Sequence, residues 1–263
     1  MLIQQMTMHR IFNTAIAIAV LSLMLGQAGF VTAQEKTNGD QLRVKAREHR
    51  TEIDTALTNF RSARGEKRLE KLKVASKRIV SVRTEALNGL IARLAESKKC
   101  KNLSEAQLSE IKAAIQSIIT KLETQDSDIA SSTDLTKAKT AIKEVYTNNK
   151  VFAAVIPATN GACLATRLTF LIDGRLNTLV EKIKAAGIET AEIEALMTKA
   201  KSSAEAAYTV YLGILQNPAA ENVRASFSTA KSHLQTTRQE LGAVKSALAK
   251  LRADYEQQTK DGS

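Results

Sequence analysis

Apolar residues recur every three or four positions along nearly all of the chain after Asp40, which is the period of α-helices with one buried stripe. The clearest run is the last. Val223, Phe227, Ala230, Leu234, Thr237, Leu241, Val244, Leu248, Leu251 and Tyr255 keep an unbroken alternation of four- and three-residue steps. That is a heptad seam with one polar member, Thr237, and it predicts a long helix over Asn222–Gln257. Pro218 marks the stop before it. Upstream, Ile193, Met197, Ala200, Ala204, Ala207, Tyr211 and Ile214 repeat the pattern with smaller side chains, which let helices approach closely.

Leu164, Leu168, Leu171, Ile172, Leu176, Leu179 and Ile183 form a broader stripe suited to a central helix, ended by Gly187. Thr190 or Glu189 then opens the next helix. Ser104-x-x-Gln107 has the form of a capping box, ahead of a helix with Leu108, Ile111, Ile115, Ile118 and Leu122 on one face. The polar run Asp126–Thr133 reads as a connection. A helix with Leu135, Ala138, Ile142 and Val145 inside follows and is expected to end near Val151–Ile156, with Pro157 and Asn160-Gly161 interrupting it. Nearer the start, Gln41–Ala63 and Glu66–Lys98 read as helical stretches separated at Gly65, with Leu69, Leu72, Ile79, Val82, Leu87, Leu90 and Leu94 as apolar positions of the second.

The expected fold is therefore all-α: an elongated antiparallel helical bundle, coiled-coil-like, of about six helical segments joined by short polar turns. Composition narrows it further. Two prolines and 4% aromatics argue against a turn-rich β-sandwich, and 44% hydrophobic residues are too many for a disordered chain.

The first residues have a different plan. Met1–Arg10 is polar with one basic residue. An apolar stretch follows, densest over Ala15–Leu25, and then the small residues of Val31-Thr32-Ala33. This is the layout of a secretory signal peptide cut after Ala33, so residues 1–33 are expected to be removed on export. An uncleaved anchor would need a longer apolar run, of about 20 residues. The mature protein is expected in the periplasm or outside the cell, with a basic helical region at 34–101 and a helical bundle over 102–263.

Export permits a disulfide. Cys100 lies in the turn before the Ser104 helix. That helix runs away, the Leu135 helix returns over a similar span, and Cys163 comes just after the return. Up-and-down order thus brings Cys100 and Cys163 to one end. A bridge between them would close a loop of about 60 residues, worth roughly 3–4 kcal/mol through the unfolded chain.

Catalytic chemistry is sparse. After residue 33 the only histidines are His49 and His233, each close to seam positions. No phosphate-binding glycine loop, metalloprotease helix or nucleophile elbow occurs. The paired carboxylates Glu192/Glu194 and Asp126/Asp128 read as solvated faces. No enzyme activity, cofactor, metal or small-molecule substrate is expected.

Charge is uneven. The chain has 38 basic and 27 acidic residues, a net +11. Residues 34–101 hold 18 basic and 9 acidic ones, whereas the remainder to Ser263 is almost balanced at 19 and 18. The densest part is Arg61–Arg83, with Arg61, Arg64, Lys67, Arg68, Lys71, Lys73, Lys77, Arg78 and Arg83 against Glu66 and Glu70. On one continuous helical wheel, Arg61, Arg64, Lys67, Arg68, Lys71 and Arg78 fall within an arc of about 120° beside the Leu69/Leu72/Ile79 face. The pattern suits electrostatic contact with a polyanion: anionic lipid, wall polymer or extracellular nucleic acid. No aromatic residue interleaves the stripe, so base stacking is not expected. A solvated helix face has the same appearance.

Leu103-Ser104-x-x-Gln107 resembles the L-T-x-x-Q element of small periplasmic helical chaperones, with Ser for Thr, and would imply a holdase. Val151–Ile183, with its apolar lead into Pro157, Leu-rich helix, Gly187 and following Ala-rich helix, resembles exported all-helical hypothetical proteins of bacteria over about residues 66–215. That resemblance implies a secreted helical protein and brings no activity or site residues. The leading expectation is a secreted or envelope-associated structural or interaction protein. It would meet a protein partner, or itself, through helical seams. Polyanion binding is the first alternative and the chaperone reading the second.

Overall fold

The structure is a computed structural model and describes Glu48 and residues 50–261. The signal peptide, its cut after Ala33, His49 and the start of the Gln41 helix lie outside the described residues.

The described chain is all-α. A first helix, α1, covers residues 50–62. Then come α2 (Lys67–Glu96), α3 (Glu105–Ser131), α4 (Leu135–Asn149), α5 (Ile156–Leu171), α6 (Asn177–Ala185), α7 (Ala191–Gln216) and α8 (Val223–Asp261). Five-residue π turns precede α5 (Val151–Val155) and α6 (Ile172–Leu176). Among the described residues there is no strand.

The chain forms two compact units. One contains the residues up to Cys163 together with Val210–Phe227; the other contains Leu164–Thr209 and the residues from Ser228 onward. The unit boundaries fall inside α5, α7 and α8.

In the first unit α2, α3 and α4 each pack on the other two. Their shared core is built from Leu72, Ile79, Leu87 and Leu94, from Ile111, Ile115, Ile118, Leu122 and Ile129, and from Ala138 and Val145. The capping box forms as the sequence predicts. The Gln107 amide N–H donates to Ser104 Oγ at 3.2 Å, and the Ser104 N–H donates to Gln107 Oε1 at 3.0 Å. Cys100 and Cys163 are joined by a disulfide, as the up-and-down order of α3 and α4 requires.

The second unit takes its core from Ile172, Leu176, Leu179, Val180 and Ile183, from Ile193, Met197 and Ala200 on α7, and from Leu241, Val244 and Leu248 on α8. All seven seam positions named on α7 are buried, and Ala200, Ala204 and Ala207 are fully inaccessible. Thr237, the polar seam member of α8, is buried as well and donates its hydroxyl to the His233 carbonyl at 2.9 Å, so burial leaves it satisfied. Gly187 closes α6 at φ +80°, with Ile188 N–H reaching back to Ile183 and Gly187 N–H to Lys184, the Schellman arrangement that favours glycine there.

Three expectations need correction. Asp126–Thr133 is not a connection: α3 continues to Ser131, and the turn is only Ser132–Asp134. Ile129, fully buried, continues the Ile115–Leu122 stripe by seven residues, which outweighs the polar residues on its exposed sides. Pro157 and Asn160-Gly161 do not interrupt a helix either; both lie within α5. The helix does end close to the expected Val151–Ile156, but the break is made at Lys150, whose φ of 34° is left-handed. The wide turn over Val151–Val155 then shifts the hydrogen-bond register just ahead of Pro157, a residue with no N–H to give. Finally, α1 and α2 are separate helices divided at Gly65 as the sequence predicts, and what needs correction is the single wheel drawn through both. Residues 63–66 break them apart, with Gly65 at φ +58°, so a single wheel cannot relate Arg61 and Arg64 to Lys67 and beyond.

Candidate contact surface

The basic residues expected to act together separate into three groups. Arg61 and Arg64 sit exposed at the end of α1 and in the Gly65 turn, and Lys67 and Lys71 are exposed on the first turns of α2. Among the described residues these four make no ion pair. They form a basic corner around a turn rather than a stripe along a rod.

The second group is engaged by neighbours. Arg68 is half-buried, its guanidinium 5.1 Å from the centre of the Phe60 ring of α1, a cation–π contact across the turn. Lys73 lies 3.4 Å from Glu70, and Arg78 pairs with Glu52 of α1. Lys77 is exposed and faces Asp126 of α3; burial raises that carboxyl above its ordinary range, and Lys77 acts against the rise. Arg68 and Arg78 thus fasten α1 to α2, while Lys73 is paired within α2 and Lys77 faces α3.

Arg83 stands alone. It is buried, with Nη1 donating to the Ile79 carbonyl at 3.2 Å and its guanidinium 4.1 Å from the centre of the Tyr146 ring. Burial lowers its pKa, while Tyr146 acts in the other direction. Arg83 therefore does not belong with the exposed set. Its position carried a signal: it lies four residues after Ile79 and four before Leu87, both buried, hence on the inward face of α2.

A shallow cleft of about 460 Å³ lies between the ends of α3 and α4 and the loop after α7. Its lining includes Thr124, Gln125, Asn149, Asn217 and Pro218 and no carboxylate or imidazole. Asn149 is buried and donates to Gln125 Oε1 at 2.7 Å and to the Val145 carbonyl at 3.2 Å, so the amide pair ties α4 to α3. Among the described residues no three His, Cys, Asp or Glu side chains group to hold a metal ion.

Of the paired carboxylates, Glu194 is held by its neighbours. Glu194 accepts from the Thr190 hydroxyl at 2.8 Å and from Lys184 Nζ at 3.1 Å, and these bonds depress its pKa. His233 is half-buried in α8 and its carbonyl serves Thr237.

Fold and surface together define an all-helical protein with a disulfide-closed unit and a basic corner. No family model, curated protein or solved structure matches the chain.

Proposed function

We propose that the chain is an exported, non-catalytic helical interaction protein, secreted or held at the cell envelope, whose contact surface toward anionic polymers or surfaces is the basic corner. The observation that carries this reading is the gathering of Arg61, Arg64, Lys67 and Lys71, all exposed, around one turn without a carboxylate partner among the described residues. Four exposed cations around one turn, with no ion pair among the described residues, attract a polyanion and release its counterions on contact. Export is supported by the plan of residues 1–33 and by the Cys100–Cys163 bridge, a bond kept in oxidising compartments. The absence of a grouped acid, base and nucleophile in the cleft favours binding over catalysis.

Binding of Gln34–Ser263 to duplex DNA, anionic vesicles and an anionic wall polymer across a salt series tests this reading. Salt-sensitive binding to at least one of them that is lost when Arg61, Arg64, Lys67 and Lys71 are changed to Gln supports it. No binding to any, even at low salt, overturns the basic corner as a working surface.

A further inference from the structure

Tyr146 and Phe152 are 43% and 53% exposed, unusual for large apolar side chains in this chain. Both rings converge on one buried cation: the Arg83 guanidinium lies 4.1 Å from the Tyr146 centroid and 5.9 Å from that of Phe152. Arg83 is itself anchored to the Ile79 carbonyl. The two rings are thus held from behind by a fixed planar group while they face solvent.

The surroundings combine two chemistries. Lys139 and Lys143 are exposed at seven and three residues before Tyr146, hence on the same face of α4. Glu144, the only acidic residue of α4, is two positions from Tyr146 and so on the opposite side. Beyond Phe152, Ala153 and Pro157 are exposed and Ile156 is half-exposed. These residues belong to the run Leu135–Ala185, which contains an 18-residue window of mean hydropathy 1.3, half of it buried.

We propose that this patch seats on an anionic lipid bilayer, with Tyr146 and Phe152 at the level of the headgroups and Lys139 and Lys143 against lipid phosphates. An exposed ring beside two lysines on one face of α4, with a second exposed ring in the turn that follows, matches a bilayer interface, which sets an anionic layer directly over an apolar one. A soluble polyanion would satisfy the lysines and give the rings nothing. The patch is distinct from the basic corner and does not depend on it.

The test is flotation of Gln34–Ser263, which includes every described residue, with vesicles of phosphatidylcholine alone or mixed with phosphatidylglycerol, and in parallel binding to soluble polyphosphate. Three variants are compared: Phe152→Ser, the pair Tyr146→Ser and Phe152→Ser, and the pair Lys139→Gln and Lys143→Gln. Circular dichroism and the thermal midpoint establish that each is folded. The expected result is binding to the anionic vesicles only, reduced by roughly tenfold in the aromatic variants and by high salt, with polyphosphate binding unchanged by the aromatic substitutions. Vesicle binding that survives loss of both rings overturns the proposal, as does no vesicle binding at all. Equal loss of vesicle and polyphosphate binding in the aromatic variants also overturns it. Polyphosphate binding, or its failure, bears separately on the basic corner.

Discussion

The ring of Tyr211 occupies the space beside Gly161 in which a side chain at that position would begin. A Cβ on Gly161 would overlap the ring, and Tyr211 is itself buried and meets Phe227 edge-on at a centroid distance of 6.1 Å. Gly161 is therefore there for space, since α5 runs through it as ordinary helix. In an open helix Gly→Ala would stabilise; here the overlap reverses the sign. Gly161→Ala should destabilise by about 1–3 kcal/mol, the range of an overpacked core, read from urea unfolding. Gly161→Ala combined with Tyr211→Leu should recover part of that loss. An unchanged or raised stability in the single variant would show that the ring can move aside.

The Cys100–Cys163 bridge joins residues 63 apart in sequence. Such a loop restrains the unfolded chain by about 4 kcal/mol in the chain-entropy account. Cys100→Ser with Cys163→Ser should lower stability by an amount of that order, measured by denaturant unfolding with the wild type in oxidised form. Thiol titration of the unfolded, oxidised wild type should detect no free thiol. Two free thiols would remove the bridge.

Asp134 begins α4 by accepting the N–H groups of Thr136 at 2.6 Å and Lys137 at 3.1 Å. These bonds, Lys137 first, hold its pKa below the ordinary aspartate range. A depressed folded-state pKa contributes stability above the unfolded value and loses it as pH falls through the folded one. Asp134→Ala should therefore lower the thermal midpoint at neutral pH, and the difference from wild type should close as pH drops below the ordinary aspartate range. A difference that stays constant down to strong acid would show that the cap carries no charge-dependent part.

What the sequence made legible and what it hid follow from the range of the forces involved. The seams of α7 and α8 were readable because burial at every third or fourth position depends only on local spacing, and Ile193 through Ile214 are all inside. The disulfide was readable because helix lengths and antiparallel order set where Cys163 returns. Asp126–Thr133 was misread because its polar residues masked Ile129, a single buried member of the stripe. The end of α4 near Val151 is legible in the sequence, but the register shift over Val151–Val155, which lets α5 run through Pro157, has no sequence mark of its own. The basic residues looked like one stripe because a wheel ignores a four-residue break. Arg83 groups with the stripe by charge alone, whereas its spacing from Ile79 and Leu87 places it inside, against Tyr146 of α4 and Phe152 of the turn after it.

The most direct test of the contact surface compares two variants of Gln34–Ser263 with equal net charge. One changes Arg61, Arg64, Lys67 and Lys71 to Gln; the other changes Lys199, Arg224, Lys231 and Lys250, all exposed elsewhere. Affinity for duplex DNA is measured from low to physiological salt. The account predicts that the first variant binds far more weakly and that its logarithmic salt slope is shallower by about 3, while the second stays close to wild type. Equal losses in both variants would mean that net charge alone attracts the polymer, and would contradict a basic corner with a role of its own.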